Sequence, residues 1–460
     1  MKAFETSTQE LLEQAASLGI RYLEGLDARG VIPTTSAVQR LKDLGGPFPL
    51  EPTDAAEVLA LLDEIGSPAT VASAGRRYFG FVTGGALPAT VAANWLAGAW
   101  DQCAGLEVLS PVSAALEEIA LQWLVEILGL PTGTGGGFVT GATMANFTAL
   151  AAARHAVLER AGWDVESDGL FGAPAITVIV GDEVHVSLLK ALAMLGLGRK
   201  RIVRVPVDSQ GRMRVDAPPI TTGPTIVCMQ SGNVNSGAFD PAREICSAAN
   251  AAGAWVHVDS AFGLWAAAAP TRAHLLAGVE QADSWATDAH KWLNVPYDSG
   301  IAFVREPRHL QAAMSVSAAY LIQGEKREPN QSTPEMSRRA RGVEIWAALR
   351  ALGRAGLAEL IERNCRGAAR FAQGLRAAGY EILNDVVLNQ ALISFGSDET
   401  TRRVVAAVQA EGTCWCGGTV WHGRAAMRIS VSSWATTDED VERSLAAIIR
   451  VAVKENSKRT

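Results

Sequence analysis

The sequence places two charged residues, Asp259 and Lys291, directly after apolar segments. Lys291 lies in the stretch 283–293, D-S-W-A-T-D-A-H-K-W-L, whose apolar residues would bury it and disfavour its ammonium form. A neutral lysine amine attacks carbonyl groups, so these surroundings indicate a Schiff-base lysine. A lysine after a strand is otherwise more often an exposed loop residue, and that reading stays open for Lys291 taken alone.

Asp259 follows the apolar run 255–258, where a carboxylate is costly to desolvate unless a positive group faces it. A protonated pyridine nitrogen is such a group, and the carboxylate would keep the ring cationic and electron-withdrawing. The alternative is an aspartate that caps the following turn. Together with Lys291, Asp259 predicts pyridoxal 5′-phosphate as the cofactor.

A phosphate site is predicted where a glycine-rich stretch leads into a helix. We interpret 135–143, G-G-G-F-V-T-G-A-T, as a small-residue turn that feeds a helix over 144–158. The free amides and the positive dipole end at such a start bind anions, and the Thr143 hydroxyl can add a hydrogen bond. The spacing matches neither a Walker A loop nor a complete dinucleotide-binding G-x-G-x-x-G pattern.

Two further polar segments follow predicted strands. His185, in G-D-E-V-H-V-S at 181–187, could lie flat against a cofactor ring, although a histidine at a helix start is more often a capping or exposed residue. Asn233 and Asn235, in G-N-V-N-S-G at 232–237, are turn formers by default.

The elements that must position these residues alternate between strands and helices. Runs rich in β-branched and apolar residues predict strands at 138–140, 176–180, 202–207, 225–229, 255–258 and 301–304. Such alternation predicts a mostly parallel sheet with helices on both faces, and ligands then bind beyond the carboxyl ends of the strands. Helices predicted at 53–65, 86–100 and 111–128 precede this core.

A smaller α+β domain is predicted to follow the core. A helix over most of 337–376 precedes short strand candidates at 381–383, 391–395 and 427–431. We therefore expect an N-terminal helical segment at 1–75, a large cofactor-binding domain at 76–336 and a small C-terminal domain at 337–460.

Composition limits the classes of protein that fit. The 460 residues are 48% hydrophobic, carry a formal charge of −7 and show no basic stripe, so a large core is expected and nucleic-acid partners are not. No apolar run reaches the ~18 residues of a membrane span, and the N-terminus lacks the pattern of a signal peptide, so we expect a cytoplasmic protein without membrane attachment. The six scattered cysteines predict free thiols. Cys414 and Cys416 form only a weak zinc motif, and no metal site is expected.

Taken together, these motifs resemble those of the group II pyridoxal-phosphate-dependent amino-acid decarboxylases, the family of the aromatic-L-amino-acid and glutamate decarboxylases. The resemblance runs from about residue 78 to about residue 442 and is carried by H-V-D-S-A at 257–261, D-A-H-K-W at 288–292, G-A-T-M-A-N-F at 141–147 and D-E-V-H-V-S at 182–187. It implies a fold type I, aspartate aminotransferase-like large α/β domain with a mostly parallel sheet and a small C-terminal α+β domain. It also implies a homodimer with its active sites at the subunit interface.

The resemblance implies roles for individual residues. Lys291 corresponds to the imine-forming lysine, Asp259 to the partner of the ring nitrogen and His185 to the histidine that stacks on the ring. The other expected cofactor contacts are Ala142, Thr143, Asn235, Ala261 and His290. The positions at which the family builds part of its substrate pocket are Phe79, Phe81 and Thr83. The predicted partner is a small-molecule amino acid whose side chain, aromatic or acidic, these positions do not define.

Two departures from the family pattern bear on the site. Asp288 and Ala289 stand where family members commonly have Asn-Pro, and since an aspartate would repel the cofactor phosphate, Asp288 is not expected in the site. The segment 321–336 corresponds to a mobile catalytic loop and contains no tyrosine. In the family a loop tyrosine is expected to protonate the substrate carbon after carbon dioxide leaves. Tyr320 stands just ahead of this loop.

Three hypotheses on function remain open. In the first, which we favour, the protein is a carboxy-lyase that expels the α-carboxylate from an apolar, desolvated position. In the second, the same cofactor supports aldehyde synthesis, retro-aldol cleavage or transamination, and an ion pair between Arg428 and the substrate carboxylate would favour a reaction that retains the carboxylate. In the third, the chain is a non-enzymatic protein on the same scaffold, against which the pair of Lys291 and Asp259 argues.

Overall fold

The computed structural model describes residues 6–215, 223–316 and 327–457. Within these residues the larger sheet has seven strands, which are β1 Gly135–Val139, β2 Thr177–Gly181, β3 Val203–Val205, β4 Thr225–Gln230, β5 Trp255–Asp259, β6 Ser284–Asp288 and β7 Gly300–Val304. Their order across the sheet is β1-β7-β6-β5-β4-β2-β3. Only β7 runs against its neighbours, so the carboxyl ends of the other six strands lie at one edge.

This sheet confirms the predicted α/β architecture. Each of the six predicted strand segments overlaps one strand, because β-branched and aromatic residues suit a pleated, buried surface. The seventh strand, β6, has the sequence S-W-A-T-D and is not among the predicted strands. All five of its residues are buried, and a strand covered on both faces shows no alternation of polar and apolar residues.

The sequence had suggested that the glycines of β1 form a turn, but they belong to a strand. A Cβ atom on Gly136 would come within 2.9 Å of the carbonyl oxygen of Ala302, and one on Gly137 would collide with the carbonyl oxygen of Ser332. Glycine is therefore required because neighbouring backbone approaches too closely for a side chain. The helix that follows begins at Ala142, two residues earlier than predicted.

Helices cover both faces of the larger sheet and form much of the surface. In chain order they are α1 Thr8–Gly25, α2 Thr35–Arg40, α3 Ala55–Leu61, α4 Ser67–Ala69, α5 Pro88–Trp100, α6 Pro111–Ile127, α7 Ala142–Glu159, α8 Val165–Asp168, α9 Val186–Met194, α10 Ala242–Ala251, α11 Pro307–Met314, α12 Gly342–Ala377, α13 Asp398–Glu411 and α14 Asp438–Ser457. α12 is interrupted at Gly353, whose φ of 58° is left-handed and favours glycine. None of the helices in the described ranges is both long enough and apolar enough to cross a membrane.

The predicted small α+β unit is confirmed as a second sheet with its own core. Its strands are β8 Glu381–Ile382, β9 Gln390–Ser394, β10 Gly417–Trp421 and β11 Arg424–Ser430, in the order β10-β11-β9-β8 with every pair antiparallel. Helices α13 and α14 and the second half of α12 contribute to its core. Phe79 also packs into this core, so a segment that precedes the larger sheet helps to hold the two parts together.

Candidate active site

The predicted site residues gather at the edge where the carboxyl ends of the parallel strands meet. Asp259 is the last residue of β5, and Lys291 follows the end of β6 by three residues. Ala142 opens α7 just after β1, and His185 caps α9 just after β2. Strands spread along the chain thus deliver three polar side chains and the first backbone amide of α7 to one edge, which is where open α/β sheets bind ligands.

Lys291 is paired with an acid. Its Nζ lies 3.0 Å from Oδ2 of Asp288, and about a fifth of its side chain is exposed. The tryptophans that were expected to surround it are fully buried, and their indole nitrogens donate to the carbonyl oxygen of Val279 and to Oδ1 of Asn364. The sequence analysis did not predict this acidic partner, and the burial of Lys291 among apolar residues stays a prediction.

Asp288 was left out of the predicted site, and this exclusion does not hold. Its side chain is buried between two partners, since Oδ2 faces Lys291 and Oδ1 accepts a hydrogen bond of 2.6 Å from the backbone amide of Ala142. That amide belongs to the first residue of α7, which begins without a side-chain cap at Gly141. The start of the predicted phosphate-binding helix and the predicted imine-forming lysine therefore share one carboxylate.

Asp259 is a buried carboxylate with one direct side-chain donor. Nδ2 of Asn146, in the second turn of α7, lies 3.1 Å from Oδ2 of Asp259. Burial raises the pKa of Asp259, and the nearby His185 and Lys291 lower it. A further positive group in contact with this carboxylate would be stabilised strongly, since the site is poorly solvated.

Behind Asp259 runs a buried hydrogen-bond chain that the sequence analysis did not assign. The indole of Trp255 donates to Oγ of Ser284 over 2.9 Å, which leaves the hydroxyl hydrogen for Nδ1 of His257 at 2.9 Å. The proton of His257 is then on Nε2, which donates to Oδ1 of Asn146 over 2.8 Å. Burial lowers the pKa of His257 to about 3, so the imidazole is neutral. The sequence signal that could have indicated this chain is that His257 lies in the H-V-D-S-A motif and Asn146 in the G-A-T-M-A-N-F motif.

His185 has the capping role that the sequence left open, and its stacking on a cofactor ring stays a prediction. As the N-cap of α9 it accepts the backbone amide of Ser187 on Nδ1 over 3.2 Å. Burial lowers the pKa of its imidazole, while the negative charge of Asp259 acts in the opposite direction. A neutral ring held at one nitrogen by its own helix is suited to orient a flat ligand.

His290 and Ala261 both lie beside Asp288 at this edge. Nδ1 of His290 accepts the amide of Ser299 over 3.1 Å, and its Nε2 lies 3.6 Å from Oδ1 of Asp288. The carbonyl oxygen of Ala261 accepts the backbone amide of Asp288 over 2.9 Å. Both residues therefore fix the segment that carries Lys291.

Asn235 takes part in contacts with the small unit. Its side-chain Oδ1 accepts a hydrogen bond of 2.9 Å from Oγ1 of Thr419. Its backbone amide donates to Oδ1 of Asn233 over 2.8 Å. The turn-forming role expected for Asn233 is thus present. Within the described ranges, Asn235 forms no hydrogen bond with Lys291 or Asp259, so its assignment as a cofactor contact stays a prediction.

An aromatic wall, defined here as Tyr78, Phe81, Trp415 and Tyr297, stands beside these residues. The ring of Trp415 stacks with Tyr78 and Phe81 at centroid distances of 5.0 and 5.5 Å. The ring of Tyr297 lies 4.3 Å from that of His290, and its hydroxyl is 3.5 Å from Oγ1 of Thr83.

Of the three expected pocket positions, Phe79 does not belong to the aromatic wall. It is fully buried and meets Phe371 edge-on at 5.1 Å in the core of the small unit. Phe81 instead keeps 62% of its surface exposed, which leaves its ring available to a ligand.

Arg428 lies next to the aromatic wall. Its Nη1 donates to the carbonyl oxygen of Val234 over 2.9 Å, and burial lowers the pKa of the guanidinium, opposed by Tyr78. Among the described residues it forms no ion pair, so the rest of the guanidinium is available to an anion.

The cysteine pair and one cluster of histidines lie away from this edge. Cys414 and Cys416 are free and buried, and they flank Trp415, whose backbone pairs with Tyr78. The weak zinc motif is therefore a packing element. In the described part of the chain, one group could hold a metal ion, and its members His155, Glu159 and His309 lie at the far end of α7.

Comparison with known proteins identifies relatives over most of the chain. The family model described as the pyridoxal-dependent decarboxylase conserved domain matches residues 67–396. Tryptophan decarboxylase 1 of Oryza sativa subsp. japonica is 29% identical, over 82% of this chain and 80% of its own length. A crystal structure of Oryza sativa TDC with PLP and tryptamine has a TM-score of 0.89 at 24% identity and covers 97% of both chains. That of Rhodiola rosea 4-hydroxyphenylacetaldehyde synthase has a TM-score of 0.86 at 21% identity, covering 98% and 99%.

Proposed function

This chain belongs to the pyridoxal-dependent decarboxylase family, and we propose that it removes the α-carboxylate of an aromatic L-amino acid. It is a pyridoxal-phosphate-dependent carboxy-lyase that acts on amino acids. The observation that carries the proposal is that Lys291, Asp259 and the start of α7 meet at one edge of the sheet. The chemistry of these groups fits an amine-reactive aldehyde, a basic ring nitrogen and a phosphate.

Each part of the cofactor has a matching group in the chain. When bound, pyridoxal phosphate supplies an electron-withdrawing ring that stabilises negative charge on the substrate α-carbon. Asp259, supported by Asn146, would hold the proton on the ring nitrogen, and Lys291 would bind the aldehyde carbon. The backbone amides at Ala142 and Thr143 would bind the phosphate. His185 would cover one face of the ring.

The remaining proposed contacts hold these groups in place. Ala261 and His290 fix the segment that carries Lys291, and Asn235 joins the site to the small unit. A carboxylate that leaves as neutral carbon dioxide loses its charge in the reaction, so an apolar wall that excludes water favours the reaction. The aromatic wall, with Phe81 and Tyr297 partly open to a ligand, supplies such a surface.

The aromatic wall also supports the choice of substrate class. The rings of Tyr78 and Phe81 each stack on that of Trp415, at 5.0 and 5.5 Å, and such surfaces prefer flat apolar side chains. The Oryza sativa relative is a tryptophan decarboxylase, which supports this choice, whereas two other similar proteins are named acidic amino acid decarboxylases.

Arg428 favours a second candidate. A guanidinium without an ion pair among the described residues can bind a carboxylate in two parallel hydrogen bonds. Bound to an α-carboxylate, it would favour a reaction that retains this group, such as transamination. Bound to a side chain, it would favour acidic substrates.

One panel assay separates these candidates. The purified enzyme is given L-tryptophan, L-tyrosine, L-glutamate and L-aspartate, and carbon dioxide, aldehyde and ammonia are measured together, with Arg428→Gln in parallel. We expect stoichiometric carbon dioxide from the aromatic substrates only, and little change in this preference for Arg428→Gln. Ammonia or keto acid without carbon dioxide, abolished in Arg428→Gln, would establish the second candidate instead.

We also propose that the enzyme acts in the cytoplasm as a homodimer with its active sites at the interface. Free thiols at all six cysteines support a reducing compartment.

Exposed apolar residues support the homodimer. No residue of α1 is buried, and its apolar Leu12 and Ile20 are 61% and 51% exposed. Helix α1 packs on α5, where Trp95 is 47% exposed. This apolar surface is suited to a second copy of the chain. Mass by light scattering and activity are measured together during serial dilution, and activity should be lost as the dimer dissociates. A fully active monomer would contradict the proposed homodimer.

A further inference from the structure

Both oxygens of Asp288 are engaged at the phosphate end of the site. Oδ1 accepts a hydrogen bond of 2.6 Å from the amide of Ala142, and Oδ2 lies 3.0 Å from Nζ of Lys291. Only 3% of the side chain is exposed, so water does little to screen its charge. A carboxylate therefore already sits on the first amide of α7.

The proposed function brings a second anion to the same place. A phosphate monoester has a second pKa of about 6 and is largely a dianion at neutral pH. Its expected partners are the amides at the start of α7, and two anions that share one buried site cannot both keep their full charge at low cost.

The groups around Asp288 offer few positive charges to offset this repulsion. Among the described residues, its ion-pair partners are Lys291 and the imidazole of His290, whose Nε2 lies 3.6 Å away. Burial lowers the pKa of His290, which favours its neutral form. Farther along the edge, His185 and Asp259 interact with each other. Lys291 is the amine that the cofactor itself uses.

We propose that Asp288 makes cofactor binding depend on a proton. The phosphate enters this site with one proton taken up from solution, which is then held between the phosphate and Asp288. This inference rests on the proposed function, and it explains how a chain with a buried aspartate at this position can still hold the phosphate. Asp288→Asn removes the charge but keeps an oxygen for the amide of Ala142, so it should remove the proton requirement.

The test measures binding and not turnover. The full chain, stripped of cofactor, is titrated with pyridoxine 5′-phosphate between pH 6.5 and 8.5 by tryptophan fluorescence, and by calorimetry in two buffers of different ionisation enthalpy. This probe lacks the aldehyde, so the reaction of Lys291 adds no proton of its own. We expect the wild type to take up close to one proton and to lose about tenfold in affinity per pH unit. Asp288→Asn should take up almost none and bind at least tenfold more tightly at pH 8.

A matched control is Asp182→Asn, which removes an exposed carboxylate just after β2 and should behave as the wild type. Equal profiles for wild type and Asp288→Asn would overturn the inference, and so would weaker binding by Asp288→Asn at every pH. A parallel titration with pyridoxal phosphate keeps the two proposals apart. Failure of the wild type to bind either ester would overturn the proposed function together with this inference, whereas normal binding with equal profiles overturns the inference alone.

Discussion

Nε2 of His257 lies 2.8 Å from Oδ1 of Asn146, and the amide nitrogen of the same asparagine donates to Asp259 over 3.1 Å. His257 thereby fixes which end of the Asn146 amide faces the carboxylate, because its own proton is held on Nε2 by Ser284. An asparagine with the opposite orientation would present an oxygen to an acid. The neutral histidine is thus a positioning residue for the proposed partner of the ring nitrogen.

Asp259→Asn is expected to keep cofactor binding and to lose turnover by several orders of magnitude, each factor of ten corresponding to about 1.4 kcal/mol of barrier. Asn146→Ala removes one hydrogen bond to a charged group, worth about 1.5–3 kcal/mol, and should cost roughly 10- to 100-fold. Turnover and the absorbance of bound cofactor are measured for both. Near-normal turnover of Asp259→Asn would contradict the proposed role of Asp259 at the ring nitrogen. His185→Ala should lose less turnover than Asp259→Asn.

Lys291→Ala should lose the absorbance of the imine and nearly all turnover while remaining folded, because it removes the amine that is proposed to form the imine. The measurement is borohydride treatment of the loaded protein followed by peptide mass analysis. Lys190→Ala, which alters an exposed lysine of α9, is the matched control and should keep the label on Lys291. A borohydride-stable adduct in Lys291→Ala would move the imine to another residue.

The stability of the protein should depend on pH through His257. Its folded pKa is lowered to about 3, so below pH 6.5 the unfolded chain binds a proton that the folded chain does not. Stability from this group is therefore complete above pH 6.5 and falls by about 1.4 kcal/mol per pH unit as the pH drops towards 3.

The comparison that isolates this effect is with His257→Gln, which cannot titrate. Urea unfolding at pH 7.5, 6.0 and 5.0 should show the wild type losing its advantage over His257→Gln as the pH falls. His274→Gln, at an exposed histidine, should follow the wild type. Parallel curves for wild type and His257→Gln would show that His257 titrates alike in both states.

The segment 321–336 contains no tyrosine, which should affect the products, and its residues 321–326 lie outside the described residues. A positioned acid contributes about 10² to 10⁴ in rate when it protonates the substrate carbon, and without it the carbanion lives long enough to meet dioxygen. We expect aldehyde, ammonia and hydrogen peroxide beside the amine in air, with one dioxygen consumed per peroxide formed, and amine alone under nitrogen.

Tyr320→Phe tests the tyrosine just ahead of this segment, which lies outside the described residues. If the wild type and Tyr320→Phe both give only amine, at equal rates and regardless of oxygen, then neither oxidative diversion nor a Tyr320 proton donor operates. A group such as His185, or one from a second subunit, would then supply the proton.

The sequence by itself determined the elements and the order in which they bring residues to the site. Runs of β-branched residues mark strands because the preference is local, and the ends of those strands delivered Asp259 and His185 to the edge that Lys291 reaches from β6. The family motifs added the cofactor. Local patterns failed for β6, because a strand buried on both faces carries no alternation, and for the glycines of β1, because their need for close packing comes from distant backbone.

Only the tertiary structure decided what these side chains contact. Asn146 and Asp259 are 113 positions apart in the chain, and Ala142 and Asp288 are 146 apart. Such pairs leave no periodicity in the sequence, since their partners are chosen by the order of strands across the sheet. The charge of Asp288 suggested exclusion from the site, yet burial beside Lys291 and the start of α7 brought it inside. Phe79 likewise moved from the expected pocket into the core, because its strand-like segment pairs with the small unit.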